Sequence, residues 1–324
     1  MTALVEKAMV GERQAQAPRL SHAGFDRIFR VASLSSALLV LLVLAGIIGS
    51  MIIGGWPAFQ HMGLLDFITG TTWDINRDVY GAWPAIAGTL ATALIALVIG
   101  VPISLGIAIY LTQFAPRWLK GPVGGAVELL ASVPSIIYGM WGLFVFAPLV
   151  AAYLQTPLNS VVEGIPIVGS LFYSRVPSGT GIMTAGIILA IMIIPFVASI
   201  TRDMLDQIPS VLRESAYGIG CTTWEVVRHV LIPQAGVSII GAVMLGLGRA
   251  LGETMAVTFV VGNANRLTAL FDPGSTIASR IANEFNAALG LQLHALIALG
   301  CILFLVTFSV LVVARYLVSR VKVH

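Results

Sequence analysis

Two charged residues lie inside an apolar stretch of the chain, and their spacing predicts that they share one face of a helix. Between Gly236 and Val261 the only formally charged side chains are Arg249 and Glu253. A separation of four residues places them about 40° apart around an α-helix and one turn apart along it. A central arginine costs a membrane helix roughly 2.5–3.5 kcal/mol. Arg249 therefore needs a partner or a water-filled path.

Two interpretations of this pair stay open. In the first, Arg249 and Glu253 form an ion pair that only makes a buried helix tolerable. In the second, they line an anion path, where the planar guanidinium donates to an oxyanion and Glu253 orients it. Phosphate is a suitable anion because its protonated forms can donate to a carboxylate, whereas deprotonated sulfate cannot. The glycines at 246, 248 and 252 predict close backbone approach at the same level.

Long apolar stretches must hold this pair, and the composition identifies the class of protein. The chain has 324 residues, of which 57% are hydrophobic and 10% are charged, whereas an ordinary soluble chain has about 25% charged residues. About 20 apolar residues cross a bilayer, so we expect an all-α polytopic membrane protein with six transmembrane helices. The predicted spans are residues 31–53, 84–111, 123–151, 181–200, 236–261 and 293–314.

The positive charges predict the topology. Thirteen Lys and Arg residues lie on one side, in the N-terminal tail, in 112–122, in 202–235 and in the C-terminal tail, and four lie on the other side. The positive-inside rule then places both termini in the cytoplasm. Residues 1–30 are predicted to be a cytoplasmic tail and residues 31–324 a single transmembrane domain. The apolar spacing within 275–290 predicts a short helix at the outer surface.

The longest charged inner segment, residues 202–235, carries the signals of two short helices joined by a glycine turn. Ser210 is predicted to cap a helix over residues 211–217. Gly218 and Gly220 are predicted to stop this helix, because glycine readily adopts the left-handed or unrestrained backbone found at helix ends.

The second short helix is predicted to open at a capping box formed by Thr222 and Glu225. Trp224 and other apolar residues share one of its faces, and Pro233 is predicted to end it. A DNA-binding helix-turn-helix needs a basic face for phosphates, but four acidic residues balance three arginines here. The segment therefore predicts a protein partner and no nucleic acid.

This loop resembles the EAA signature of ATP-binding-cassette importer permeases. The resemblance implies the type I importer permease fold and a coupling helix that fits into a separate ATPase subunit. ATP and Mg would be bound by that partner, and this chain would hold no cofactor, metal or catalytic residue. The chain contains no G-x-x-x-x-G-K phosphate loop, which agrees. The matching residues, which imply the coupling site, are Glu214, Ser215, Ala216, Gly220, Val230, Ile232 and Pro233.

The run from Arg249 to Val257, RALGETMAV, resembles the corresponding segment of phosphate permeases of the PstC kind. Further matches are Tyr80-Gly81-x2-Pro84-x3-Gly88-Thr89-Leu90 and Val133-Pro134-Ser135-x2-Tyr138-Gly139. This resemblance implies phosphate import across the bacterial plasma (inner) membrane. It also implies three kinds of partner besides the membrane lipid: a second permease of the PstA type, a PstB-type ATPase dimer and a PstS-type binding protein.

Alternatives remain open at this stage. They are an ion-coupled secondary transporter, a permease for another oxyanion and a membrane scaffold without transport activity. Glu128 near Lys120 is predicted to snorkel or cap a helix, although substrate contact is the other interpretation. Ser132 and Ser135 flank Pro134 and are predicted to bond backbone freed by the proline, the alternative being an unwound segment that lines the path.

Overall fold

The computed structural model describes residues 23–162, 172–174, 177–266 and 269–320. The chain divides into two compact units, Met1–Ser50 and Met51–His324. In the first unit the described residues form the beginning of a helix, which starts at Ala23, inside the predicted tail. Residues 1–22 of that tail lie outside the described residues, as do Arg175 and residues 321–324, which contributed to the topology prediction.

Long helices dominate the structure. In the first half of the chain the elements are α1 Ala23–Met62, α2 Leu64–Thr69, β1 Trp73–Asp74, a 3-10 turn Ile75–Arg77, β2 Val79–Tyr80, α3 Trp83–Ile109 followed by a π turn Tyr110–Phe114, and α4 Arg117–Ala131. The helix α5 starts with Ser135–Trp141 and continues through a π turn Gly142–Phe146, Ala147–Val150, a second π turn Ala151–Gln155 and Thr156–Val162.

The second half begins with α6 Ile182–Asp206 and α7 Ser210–Gly218. The helix α8 runs without interruption through Thr223–Val226, a π turn Val227–Leu231 and Ile232–Gly252. The remaining elements are α9 Met255–Val260, α10 Ile277–Glu284, a 3-10 turn Phe285–Ala287 and α11 Leu291–Arg320. Within the described residues the two strands form one antiparallel pair, with Trp73 opposite Tyr80.

Among the residues that the structure describes, six helices are long and apolar enough to cross a membrane: α1, α3, α5, α6, α8 and α11. This confirms the predicted all-α fold with six spans. The central helix is α6, because 67% of its apolar window is buried, against 22–33% for α3, α5, α8 and α11. Two glycines allow α3 and α6 to approach closely: a methyl group at Gly186 would lie 2.6 Å from Ile95, and one at Gly100 would lie 2.9 Å from Ile193.

The predicted third span, 123–151, is wrong at its start, because the helix breaks at Pro134. Residues up to Ala131 belong to the separate helix α4, and the membrane-spanning helix α5 begins at Ser135. Proline has no N–H and pushes the preceding residue out of the helical region. The Ser132 hydroxyl donates to the Leu129 carbonyl at 2.7 Å, but that carbonyl also accepts the Ser132 N–H at 3.1 Å. The carbonyl that loses its helical donor at Pro134 is that of Leu130, and it accepts the Tyr138 hydroxyl at 2.9 Å.

The predicted fifth span, 236–261, is wrong at both ends. Its helix begins at Thr223 and passes through Pro233 without stopping, because the wide π turn Val227–Leu231 immediately before accommodates a residue that lacks an N–H. At the other end the helix stops at Gly252. Glu253 is extended, with φ −68° and ψ 123°, and a new helix, α9, follows.

The predicted short helix within 275–290 is present as α10. Thr276 caps it, accepting a hydrogen bond from the Ser279 N–H at 3.1 Å. The segment before α10 packs on the first turns of α3, where the Thr89 hydroxyl accepts the Ile277 N–H at 3.0 Å and Gly88 faces the Ser275 carbonyl. Glycine is needed at position 88 because any side chain would collide with this carbonyl.

Candidate functional site

Arg249 lies in the last turn of α8, where the helix stops. Its guanidinium carbon is 5.6 Å from the centre of the Phe196 ring of α6, a distance at which the ring face attracts a cation. The side chain is half-buried. Arg249 is therefore held by an aromatic surface and keeps part of its surface accessible.

Glu253 does not pair with Arg249. Its Oε1 accepts the Ala256 N–H at 3.2 Å, and the ion pairs among the described residues involve Arg77, Arg202 and Arg280 as cations. The expectation of an oriented Arg249–Glu253 contact is thus not met. The reason is that the helix ends at Gly252, so Glu253 lies in the extended break before α9 instead of one turn further along α8.

The glycines near Arg249 divide into two kinds. Gly246 packs closely, because a methyl group there would lie 2.7 Å from Val197. At Gly241, Gly248 and Gly252 no heavy atom of the described chain lies within 4 Å of such a methyl group, apart from the neighbouring residues and adjacent backbone of α8 itself. Close approach was therefore predicted correctly at position 246 only. Gly248 and Gly252 lie about one turn apart beside Arg249, and Gly241 lies two turns earlier on the same side of α8, beyond the exposed Leu245. We call these three open glycines the glycine strip.

The break before α9 lies against the start of α5. A methyl group at Gly139 of α5 would lie 2.9 Å from Ala256 Cα and 3.1 Å from the Met255 carbonyl. Only glycine permits this approach. The break in the fifth span and the break at Pro134 are therefore joined through the contact between α5 and α9, and Arg249 lies at the end of one of them.

The loop predicted to couple to a partner consists of the short helix α7 and the first turns of α8, which pack together. Ala216 of α7 packs with Val226, Val227 and Leu231 of α8 and with Leu205 at the end of α6. The Arg213 guanidinium donates to the Leu205 carbonyl at 2.6 Å. The first turns of α7 and α8 are thus fixed on the end of α6 and can move with it.

The end of α7 and the start of α8 follow their local signals with two exceptions. The Thr222–Glu225 capping box is present: the Thr222 N–H donates to Glu225 at 2.7 Å. Gly220 has φ +92°, as predicted for a left-handed turn. Gly218, however, is the last helical residue, and Ser210 is the first, so Pro209 occupies the position predicted for a serine cap.

Several apolar side chains of this loop are exposed. They include Val211, Tyr217, Ile219 and Trp224, which are 44–84% exposed. Trp224 was predicted to share a face with Val227 and Leu231, but those two residues are buried and Trp224 is not. Of the EAA-like residues, Glu214, Ser215, Gly220 and Ile232 are exposed, Val230 and Pro233 are half-buried, and Ala216 is buried.

A buried charged cluster around Arg280 is present that sequence reasoning missed, since Arg280 enters the sequence analysis only as a charge on the outer side. Arg280 is 4% exposed, stacks 4.7 Å from the Trp73 ring centre and bonds Ser275 at 2.9 Å and Glu284 at 3.3 Å. Glu284 also accepts the Trp73 indole N–H at 2.9 Å. The four-residue spacing of Arg280 and Glu284 in a helix is the one signal that could have found it.

Burial affects the ionisation of this cluster. It lowers the pKa of the Arg280 guanidinium, and the neighbouring Glu284 carboxylate opposes that change. The adjacent Tyr80 is buried as well, and burial together with its hydrogen bond to Asp78 raises the pKa of Tyr80 to about 12. The cluster fixes the strand pair β1–β2 to α10, so its role is to hold this end of the molecule in shape.

We expect the substitution Arg280→Met to lower the free energy of unfolding by about 2–4 kcal/mol. Removing one partner of a buried ion pair leaves the other uncompensated and costs about 3–5 kcal/mol, reduced here because the Glu284 side chain is 22% exposed. The matched control is Arg77→Met, since Arg77 is 83% exposed in its pair with Asp74 and should change stability by less than about 0.5 kcal/mol. Denaturation of the purified proteins measures the free energy of unfolding of both variants. An equal loss of stability in Arg280→Met and Arg77→Met would contradict the stabilising role of the Arg280 cluster.

The comparison with known families decides what kind of protein this is. The family described as "Binding-protein-dependent transport system inner membrane component" matches residues 100–323. The chain belongs to this family. It is therefore a multi-pass inner-membrane component of an ABC importer, and ATP hydrolysis is carried out by separate subunits of such systems. The matched residues begin within α3 and include the loop 202–235, Arg249 and Glu253.

Several curated relatives match nearly the whole inner membrane component. It is 50% identical over 310 residues to the phosphate transport system permease protein PstC of Pasteurella multocida, covering 95% of this chain and 96% of the relative. It is 51% identical over 298 residues to the protein of the same name from Haemophilus influenzae, covering 92% and 94%. The corresponding protein of Mesorhizobium japonicum is 52% identical, with 91% and 90% covered.

Solved structures share the fold. A bacterial ABC transporter involved in the import of the acidic polysaccharide alginate aligns with a TM-score of 0.56 at 19% identity, covering 91% of this chain and 99% of that chain. The MetNI methionine ABC transporter in an inward-facing conformation aligns with a TM-score of 0.51 at 20% identity, covering 75% and 94%. The predicted type I ABC importer permease fold is thereby confirmed.

Proposed function

We propose that this permease carries inorganic phosphate through the membrane and that Arg249 contacts the anion. The observation that carries the proposal is the position of Arg249, which is half-buried at a helix break, lies beside the open glycine strip and has no carboxylate partner among the described ion pairs. Its fork of donors fits a phosphate oxyanion. The relatives that are about 50% identical over most of both chains are named as phosphate permeases.

Glu253 has a supporting role in this proposal. Its carboxylate caps the first turn of α9 through Ala256 and so stabilises the break that places Arg249 at a helix end. Glycines at 248 and 252 leave space for a hydrated anion next to the guanidinium. The path residues are thus Arg249 for binding and Glu253 for shaping the break.

The loop of residues 202–235 is proposed to be the contact site for the ATPase subunits. If both termini lie in the cytoplasm, as the positive-inside rule predicts, residues 202–235 face the cytoplasm. Their exposed apolar side chains would then fit a groove on a PstB-type ATPase dimer. The proposed contact set is Glu214, Ser215, Ala216, Gly220, Val230, Ile232 and Pro233. A PstA-type permease would complete the path, and a PstS-type binding protein would deliver phosphate outside.

The helix α8 connects the two sites physically. It runs from Thr223, next to the capping box, to Gly252, three residues past Arg249. At 1.5 Å per residue it spans about 45 Å. When ATP and Mg close the partner ATPases, displacement of the loop would move α8 as one body and shift Arg249 between the two openings of the path.

The test is uptake by the assembled complex in proteoliposomes, with ATP inside or outside the vesicles and radiolabelled phosphate or sulfate supplied with a binding protein. We expect phosphate uptake that requires ATP on the cytoplasmic side. Uptake by the isolated chain without ATP would instead indicate a secondary transporter. ATP-dependent uptake of sulfate but not phosphate would assign another oxyanion.

A further inference from the structure

We propose that the ion pair between Arg202 and Glu128 is a second link between the coupling loop and the substrate path, in addition to α8. Arg202 and Glu128 are positioning residues in this inference, because neither contacts the anion. The inference rests on the proposed function. Neither residue belongs to the EAA-like signature, and Glu128 was expected to snorkel or cap a helix.

The Arg202–Glu128 ion pair connects the end of α6 to α4. Arg202 lies in the last turns of α6, just before the loop, and its guanidinium reaches across α4 to the Glu128 carboxylate. Gly124 lies directly under the guanidinium, and a methyl group there would require the end of the Arg202 side chain to shift. Arg202 is 19% exposed and also contacts Asp203 at 3.3 Å. A half-buried arginine therefore joins the end of α6 to a helix that is distant in sequence.

Contacts continue on the loop side of this pair. The Arg213 guanidinium of α7 donates to the Leu205 carbonyl at 2.6 Å, three residues from Arg202. Ala216 belongs to the same buried apolar cluster as this leucine. A displacement of α7 by an ATPase subunit would consequently move the end of α6 and, through Arg202, would pull on Glu128.

Contacts also continue on the path side. At the end of α4 the Leu130 carbonyl accepts the Tyr138 hydroxyl at 2.9 Å, across the break at Pro134. The next residue, Gly139, is the point where α5 touches α9. At its beginning α4 is anchored, because Lys120 Nζ donates to the Thr112 carbonyl at 2.6 Å. The helix α4 is thus fixed at one end and can transmit a pull to the two breaks at the other.

Stability alone does not account for this pair. The Glu128 side chain is 55% exposed, and ion pairs with an exposed partner contribute little to folding. The packing between α4 and α6 is already supplied by Val127 and Ala198. The specific consequence of the ion pair is that α4 follows the end of α6 instead of sliding along it.

The experiment is a charge exchange in the assembled, reconstituted complex, using Arg202→Glu, Glu128→Arg and the double variant. The readout is the number of anions imported per ATP hydrolysed, which a purely structural role would not change in assembled complexes. We expect each single exchange to lower this ratio about fivefold or more while ATPase association is kept, and the double variant to recover to within about twofold of the wild type.

Two further variants protect the test against folding defects. Glu128→Gln removes the charge from a half-exposed position and should lower the ratio about threefold. Asp203→Asn is the matched control. It removes the charge of the other carboxylate that contacts Arg202, but Asp203 lies in α6 itself and does not connect α6 to α4. This variant should therefore not alter the ratio. An unchanged ratio in Glu128→Gln, or a double variant no better than the worse single variant, would overturn the inference.

Failure of the proposed function has a different signature. If the wild-type complex imports another anion, the phosphate assignment falls, and the ratio is then measured with that anion to test the link. If the wild-type complex imports phosphate but the charge exchange leaves the ratio unchanged, only the link is overturned.

Discussion

Replacing Arg249 by Gln should reduce ATP-driven phosphate uptake by about 10- to 100-fold in a complex that still assembles. Hydrogen bonds to a charged group are worth about 1.5–3 kcal/mol, and each 1.4 kcal/mol is a factor of ten. Glutamine keeps much of the length of the side chain and can still pack against Phe196 of α6. Uptake of labelled phosphate per assembled complex measures the loss.

Two further variants separate the charge of Arg249 from its shape and from the break. Arg249→Lys keeps the charge but loses the planar fork, so uptake should lie between wild type and Arg249→Gln. Glu253→Gln keeps an oxygen that can accept the Ala256 N–H, so uptake should stay within about threefold of wild type. Normal uptake by an assembled Arg249→Gln complex would show that the anion follows another route.

Replacing Gly220 by Val should lower the amount of ATPase subunit that co-purifies with the permease by about 5- to 30-fold. Gly220 has φ +92°, where a residue with a side chain is strained by about 1–2 kcal/mol, and a change of 1–2 kcal/mol corresponds to a factor of 5–30. Relief of this strain would rotate α7 relative to the start of α8 and displace the exposed side chains of Ile219 and Trp224.

The control for this variant is two residues away. Gly218 is exposed, has helical backbone, and has no heavy atom of the described chain within 4 Å of a methyl group placed on it. Gly218→Ala should therefore leave co-purification unchanged. Equal loss in both variants would mean that the turn geometry is not what the ATPase recognises, and normal co-purification with Gly220→Val would remove the loop from the coupling site.

Local signals in the sequence were sufficient for much of the fold. Six apolar stretches gave the number of spans, and the Thr222–Glu225 spacing gave a capping box that the structure contains. These features depend on residues within a few positions of each other. They are encoded where they occur, so they can be recognised without knowledge of the rest of the chain.

Features that depend on distant residues could not be predicted. The end of α8 at Gly252 has no proline to signal it, and glutamate favours a helix; the break coincides with the packing of α9 on Gly139. The Arg202–Glu128 pair joins residues 74 positions apart. The prediction that Pro233 ends the second short helix is wrong for a related reason, since a preceding π turn accommodates the proline inside a continuous helix.

The unbroken course of α8 has a consequence for how this permease can change. Every residue of an α-helix adds about 100° of rotation and 1.5 Å of length. The direction in which the Arg249 side chain leaves α8 is therefore fixed by the number of residues between Thr223 and Arg249. Inserting or deleting one residue between the loop and Arg249 would turn the Arg249 guanidinium, the proposed anion-binding group, by about 100° and move it by about 1.5 Å relative to the loop. Insertions and deletions should therefore be tolerated in the flanking loops and excluded from this segment.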